Sequence, residues 1–496
     1  MIKQRKIIVI GSGFAGLSAA SLLAQKGHDV TVLEKNKQTG GRARVWEKDG
    51  FIFDMGPSWY WMPEVFEKFF NLFGKTTSDF YNLVRLDPGY RIYYKGYEQL
   101  DIPASYKELI KLFEKNEKGS GDKLKNFLAD AEYKYNTAMN DYVHRLSNSV
   151  TEFFDLELII KGFQLKLFKS LRSEVRKNFS NPSLISMLEF PVLFLGSTPD
   201  KTPSMYSMMN YADLVLGTWY PMGGMQMIVK AMEEIAKMNG VRILLNNEVK
   251  KIEVLKGKVK RVHTNSETFN ADIVVAGSDY NHTEQFLLDE ENRTYDSTYW
   301  ESRSMSPSSL LFYLGVNKKL SGLLHHNLFF DADFEQHAKE IYQTPQWPTN
   351  PLFYVCAPSK TDSTVAPQGC ENIFLLMPLA PGIEDNEILR ERYFNMIIER
   401  IEKRTGETIR ENIVVKRSYC VKDFQKDYHS YKGNAYGLSN TLMQTALLKP
   451  KMVSAKVKNL FYTGQLTVPG PGVPPAIISG QIAAREINNR IEKQLL

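Results

Sequence analysis

The sequence predicts an α/β fold assembled from separated stretches of one chain, with a mixed-sheet second domain and a helical insert. Three observations carry this. Ile7–Ile10 is an unbroken β-branched run that feeds a glycine-rich turn, a helix and a second apolar strand. Strand and helix patterning of the same kind returns over 222–280 and after 451, with different patterning in between. Finally, 43% hydrophobic and 24% charged residues, with 28 Phe, 25 Tyr and 6 Trp, are the makings of a large folded core. At 496 residues the chain has room for about three domain-sized units.

A continuous apolar run such as Ile7–Ile10 marks a parallel strand buried on both faces. Gly11-Ser12-Gly13-Phe14-Ala15-Gly16 follows, then a helical stretch from Leu17 to Lys26 that Gly27 ends. A second strand, Val30–Leu33, stops at Glu34, 18 positions after the last glycine. Together these parts predict a Rossmann-like dinucleotide site. Gly11 permits the tight turn, and Gly13 lets backbone approach a pyrophosphate. Gly16 lets helix and strand pack closely, and the helix start adds donors and partial positive charge. Ser12, Ala15 and Lys35 lie in the same segments and are expected beside the cofactor. Glu34 is expected to accept from the adenosine ribose hydroxyls and to repel a 2′-phosphate. Gly40-Gly41-Arg42-Ala43 forms a second glycine turn, whose arginine supplies fixed positive charge for phosphate.

Later elements repeat the pattern. Gly223–Gly240 reads as a turn and helix, Val241–Val254 and Val259–Thr264 as strands, and Ala271–Ala276 as a further strand. Leu310–Leu314 and Phe374–Pro378 are strand-like, and Asn386–Lys403 is helical. No charge occurs from Asn459 to Ala484, yet four prolines and four glycines forbid one spanning helix there. The run parses as a strand Leu460–Thr463, a loop, and a helix beginning near Pro474–Ala476, with proline suited to its first turn. The expected segments are cofactor-binding 1–98, 222–280 and 451–496, a helical insert 99–221, and a substrate domain 281–450.

The charge excess, 62 − 56 = +6, is too weak to imply nucleic acid and compatible with an anionic membrane surface. Cys356, Cys370 and Cys420 form no CxxC pair, so reduced thiols and no metal are expected. The mean hydropathy of −0.32 argues against a polytopic membrane protein. With no signal-like N-terminal run, the expected address is cytoplasmic.

Several motifs resemble the bacterial-type phytoene desaturases and carotenoid desaturases of the flavin amine oxidase-like superfamily. They are the turn at Gly11–Gly16, Gly40–Ala43, Phe53–Ser58, Trp219–Gly224, Ala357–Cys370, Tyr431–Tyr436 and Pro469–Pro474, and they run over essentially the whole chain. The resemblance implies FAD and a forty-carbon polyene substrate. It places Gly11, Gly13, Gly16, Glu34, Gly41 and Arg42 on FAD, with Val249 touching the adenine through its backbone. Gly464 and Val473 are placed at the flavin end, where Gln465 stands instead of the acid found in many relatives. The implied chemistry is hydride transfer to flavin plus proton loss, introducing conjugated double bonds on the way to neurosporene or lycopene. The alternative is a late-pathway 3,4-desaturase acting on a coloured carotenoid, with or without a hydroxyl group. A carotenoid isomerase and a non-catalytic lipid carrier on the same fold are weaker readings. Oxygen or a quinone would take the electrons.

No catalytic residue is assigned. His144, His325, His326, Asp362 and Tyr436 fall near the flavin by family position, and each also has an ordinary structural reading. Trp59, Tyr60 and Trp61 are candidates for a tunnel wall or for aromatic core. Ile159, Phe163, Leu167, Leu171, Val175 and Phe179 recur every four residues among basic side chains, which suits either a bilayer surface or a helix packed on the core. At about 0.8 kcal/mol per methylene, a forty-carbon hydrocarbon prefers lipid to water by roughly 30 kcal/mol. The substrate is therefore expected from the membrane, with the protein peripheral at the inner face of the cell membrane.

Overall fold

A computed structural model describes residues 4–146, 169–441 and 444–496. Its five-stranded parallel sheet runs Leu460–Tyr462, Ile273–Ala276, Lys6–Ile10, Asp29–Leu33 and Arg242–Leu244. The strands come from three distant parts of the chain, so the sheet is discontinuous in sequence. Ile7 sits between Val30 and Ile273, and Val275 faces Phe461.

On this sheet lie helices Phe14–Gln25, Gln226–Met238 and Val473–Glu492. The first starts three residues before the expected Leu17, because Gly16 must already be helical. A Cβ at Gly16 would sit 2.1 Å from the Gly11 carbonyl oxygen. The last helix starts at Val473, where Gly472 caps it with φ +114°. The expected strand Val241–Val254 divides at Asn246, whose φ is +55°. Arg242–Leu244 stays in the parallel sheet, and Val249–Leu255 opens an antiparallel sheet with Lys258–Thr264 and Thr268–Asn270.

A seven-stranded mixed sheet forms the second layer, with order Ile413–Tyr419, Ser308–Val316, Glu371–Leu379, Phe353–Cys356, His326–Phe330, Tyr90–Tyr94 and Gln99–Ile102. Tyr90–Tyr94 was expected on the cofactor side of a boundary at 98; instead it pairs in parallel with His326–Phe330. All nine residues of Ser308–Val316 are buried. Leu310, Phe312 and Leu314 pack against the helix Glu387–Thr405, while Leu311 and Tyr313 face the opposite core. On the face of this sheet opposite Glu387–Thr405 pack the insert helices Tyr106–Asn116, Ser120–Thr137, Leu171–Asn178, Pro182–Glu189 and Met208–Leu214. Of the basic periodic stretch, Ile159, Phe163 and Leu167 lie outside the described residues. Leu171, Val175 and Phe179 are buried in the core, so this part turns its apolar stripe inward.

Candidate cofactor and substrate site

The strand Lys6–Ile10 ends in Gly11 (φ +92°), whose N–H donates to Leu33 O at 2.8 Å and closes the turn over the neighbouring strand. The second glycine turn rests on the first: Gly40 N donates to Ser12 O at 2.9 Å, and a Cβ at Gly41 would lie 3.3 Å from Gly13 Cα. A Cβ on Gly13 would meet no protein atom within 4 Å. Its bare edge faces a cavity of about 930 Å³. The missing side chain thus leaves room for a ligand, not for another part of the chain.

Glu34 is buried at this turn and lines the cavity. One carboxylate oxygen accepts from Ser12 N (2.9 Å) and Ser12 Oγ (2.7 Å), the other from Asn36 N (2.8 Å) and Asn36 Nδ2 (3.0 Å). The carboxylate therefore braces the loop at the cavity wall. Ser12 itself does not reach the cavity, because its hydroxyl turns back onto Glu34. Arg42 lines the cavity with its guanidinium 5.1 Å from the Tyr428 ring centre. One Nη donates to Ser430 Oγ (3.1 Å) and Asn434 O (3.4 Å), while the buried Nε has no partner. Asp279, at the cavity edge, has its carboxyl pushed up to about 6, because burial outweighs its backbone donors and Arg42. An unpaired buried N–H, fixed positive charge and a bare glycine edge are the chemistry that a pyrophosphate requires.

Ala15, Gly16, Gly41, Lys35 and Val249 also line the cavity. Lys35 Nζ reaches Lys426 O (2.5 Å) and His429 Nε2 (3.0 Å). Beside it, His282 and His429 stack at 3.9 Å and line the cavity with Val249. Burial pushes His282 down to about 3, so the His282 ring is uncharged at neutral pH. The sequence reading missed both histidines, which carry no motif and meet only through the fold.

At the other end, Gly464 (φ +107°) donates its N–H to Ser479 Oγ at 2.9 Å and lines the cavity beside Gln465 and Val473. Pro474 and Pro475 have no N–H, and Ala476 N bonds back to Gly472 O at 3.0 Å. The donors of this helix start are thus those of Gly472 and Val473.

The same cavity continues into an apolar chamber walled by Trp59, Trp61, Met139, Met205, Met208 and Met209, with Phe374 and Leu376 from the seven-stranded sheet and Tyr436 from the loop after Tyr431–Gly433. Tyr60 is not part of that wall; it is fully buried and bonded to Tyr81. Asp362 clamps the Gly223 turn through Gly223 N (2.6 Å) and Tyr220 OH (3.3 Å), and His144 is half-buried away from the cavity. His325 and His326 lie behind the wall with Cys356, a trio with the donor types of a metal site.

The family model described as flavin containing amine oxidoreductase matches residues 14–488. The chain belongs to that family. The carotenoid 3,4-desaturase of Haloarcula japonica is 41% identical over 484 residues, 97% of each chain. The zeta-carotene-forming phytoene desaturase of Myxococcus xanthus is 30% identical, over 97% of this chain and 94% of its own. Among solved structures, an oxidoreductase from Methanosarcina mazei superposes with TM-score 0.64 at 17% identity, over 96% of this chain and 99% of its own. That likeness shows a shared fold. The cofactor is FAD, and the glycine cradle, Arg42 and the helix start at Val473 fit it.

Proposed function

We propose that the protein is an FAD-dependent carotenoid desaturase that holds a long polyene against the flavin in one shared cavity. The observation that carries this is the continuity of the glycine cradle with an apolar, methionine- and aromatic-walled chamber. When bound, FAD supplies two-electron oxidation of a carbon–carbon bond. Gly11, Gly13, Gly16, Glu34, Lys35, Gly41 and Arg42 hold its phosphates and ribose, Val249 its adenine, and Gly464 and Val473 its ring end. The chamber excludes water, and its aromatic and thioether walls fix the polyene by shape, since a hydrocarbon offers no polar handle.

Of the two substrate readings, the 41% relative favours 3,4-desaturation of a coloured polyene over desaturation of phytoene, which the 30% relative supports. Delivery is from the inner face of the cell membrane, by a protein peripheral to it. No helix of the described residues is long and apolar enough to cross a membrane. Oxygen or a quinone is the electron acceptor. The test is turnover in liposomes with phytoene and, separately, with lycopene and its hydroxylated derivative, with oxygen or a quinone supplied. A longer conjugated product from one of them is expected; none from any, with FAD bound, would reject the reading.

A further inference from the structure

His326 and Cys356 are direct partners across the antiparallel pair His326–Phe330 and Phe353–Cys356, so their side chains leave the same face of the sheet. The His325 ring lies 4.5 Å from that of His326. One donor atom from each of His325, His326 and Cys356 falls within 4.8 Å of the other two, and all three side chains are buried. Each histidine commits Nδ1 to a hydroxyl, His325 to Thr361 Oγ1 at 2.7 Å and His326 to Tyr354 OH at 2.6 Å. Both Nε2 atoms are buried and make no hydrogen bond.

Two orphaned ring nitrogens beside a thiol are costly unless something occupies the space between them. With each Nδ1–H donating to its hydroxyl, the lone pair is left on Nε2. A metal-bound histidine is oriented in this way by its second hydrogen bond. The rings are also packed: Trp59 stacks on His326 at 4.2 Å and 9°, and Tyr220 meets His325 edge-on at 4.6 Å. A void of about 10 Å³ touches two of the three, His325 and Cys356, together with Asp54, Ser58 and Tyr220; His326 does not line it, so its ring must turn or shift toward a shared ion. Asp54 and Asp362 bring negative charge to Cys356 and His325 respectively.

We propose that His325, His326 and Cys356 bind one borderline-soft divalent cation, for which their nitrogen and sulfur donors select Zn²⁺. The Cys356 thiol gives its proton to solvent as the sulfur–metal bond forms, and Asp54 and Asp362 offset the remaining charge. The ion would pin the two strands together and fix Tyr354, whose hydroxyl contacts Ser58 Oγ at 3.0 Å. Both residues line the substrate cavity.

The test uses flavin-loaded protein prepared without a metal-affinity tag, stripped with a chelator and titrated with Zn²⁺ alone. Bound metal is counted by mass spectrometry and its ligands read by X-ray absorption at the zinc edge. About one Zn²⁺ per chain, held by one sulfur and two nitrogens, is expected. Cys356→Ser and His326→Gln should lose it, and Cys370→Ser should not. Tyr354→Phe, which keeps the ring, should weaken binding about 10- to 100-fold with flavin content unchanged. Sub-stoichiometric zinc in the wild type, a zinc shell without sulfur, or undiminished binding in Cys356→Ser would overturn the proposal and leave water as the occupant.

Discussion

At the cofactor end of the cavity the wall is largely main chain, drawn in by glycines at Gly11, Gly13, Gly16 and Gly41 and braced by one buried carboxylate. At the substrate end the wall is side chains, chiefly methionine and aromatic, delivered by five separate stretches of sequence. The difference teaches why one end is recognisable and the other adjustable. A backbone wall works only where a Cβ is absent at fixed positions. A side-chain wall is met by many residue combinations of similar volume.

The largest effect should come from Gly13→Val. The new side chain enters open space, so the protein should fold and melt as the wild-type apoprotein does, yet purify without flavin. Gly16→Val is its opposite, because a Cβ 2.1 Å from the Gly11 oxygen should prevent folding. Flavin absorbance and thermal melting together separate the two cases, and a flavin-loaded Gly13→Val would remove the cradle from the site.

Glu34→Arg comes next. It breaks the bonds to Ser12 and Asn36 and places a cation at the ribose position. FAD affinity should fall at least about tenfold, or ~1.4 kcal/mol, in a fluorescence titration of the apoprotein; unchanged affinity would contradict the assignment.

Trp59→Ala probes the other end and should leave flavin content alone. By opening the chamber it should lower kcat/KM for the preferred carotenoid by about tenfold, ~1.4 kcal/mol, and narrow the preference between carotenoids of different length. Met208→Leu, which conserves volume, should cost less than about 1.5 kcal/mol of stability. Loss of flavin in Trp59→Ala would mean that the two ends are not separable.

The smallest effect concerns Asp213, which supports the chamber by accepting from Tyr90 OH (2.8 Å) and from Thr218 Oγ1 (3.2 Å), itself bonded to Trp61. Burial pushes its carboxyl up to about 7 from the usual 3.8. The native state therefore binds more protons than the unfolded state between these values. Stability from this group falls as pH rises from about 4 to 7 and stays reduced above. Asp213→Asn should flatten that part of a Tm-against-pH profile; an unchanged slope would show that Asp213 does not titrate in this range.

The cofactor half was legible because its physics is local. Strand, glycine turn, helix and acid lie within residues 7–34, and all but Ser12 of the residues expected beside FAD line the cavity. Ser12 turns away because both its N–H and its hydroxyl are taken by Glu34. The splitting of Val241–Val254 at Asn246 was hidden, since the run is apolar enough to read as a single strand. Tyr90–Tyr94 joined the second sheet through a parallel pairing with residues over two hundred positions away, which no periodicity records. Likewise, His282 with His429 and His326 with Cys356 are neighbours only by register and loop closure.

If one cavity brings the polyene to the flavin, the two must react in step. The most direct test mixes flavin-loaded protein with a single carotenoid in liposomes under anaerobic conditions and follows flavin bleaching and the polyene spectrum together. Bleaching in step with the gain of one conjugated double bond per flavin is the predicted result. A flavin that stays oxidised while a carotenoid is bound, for phytoene and for the coloured polyenes alike, would contradict it.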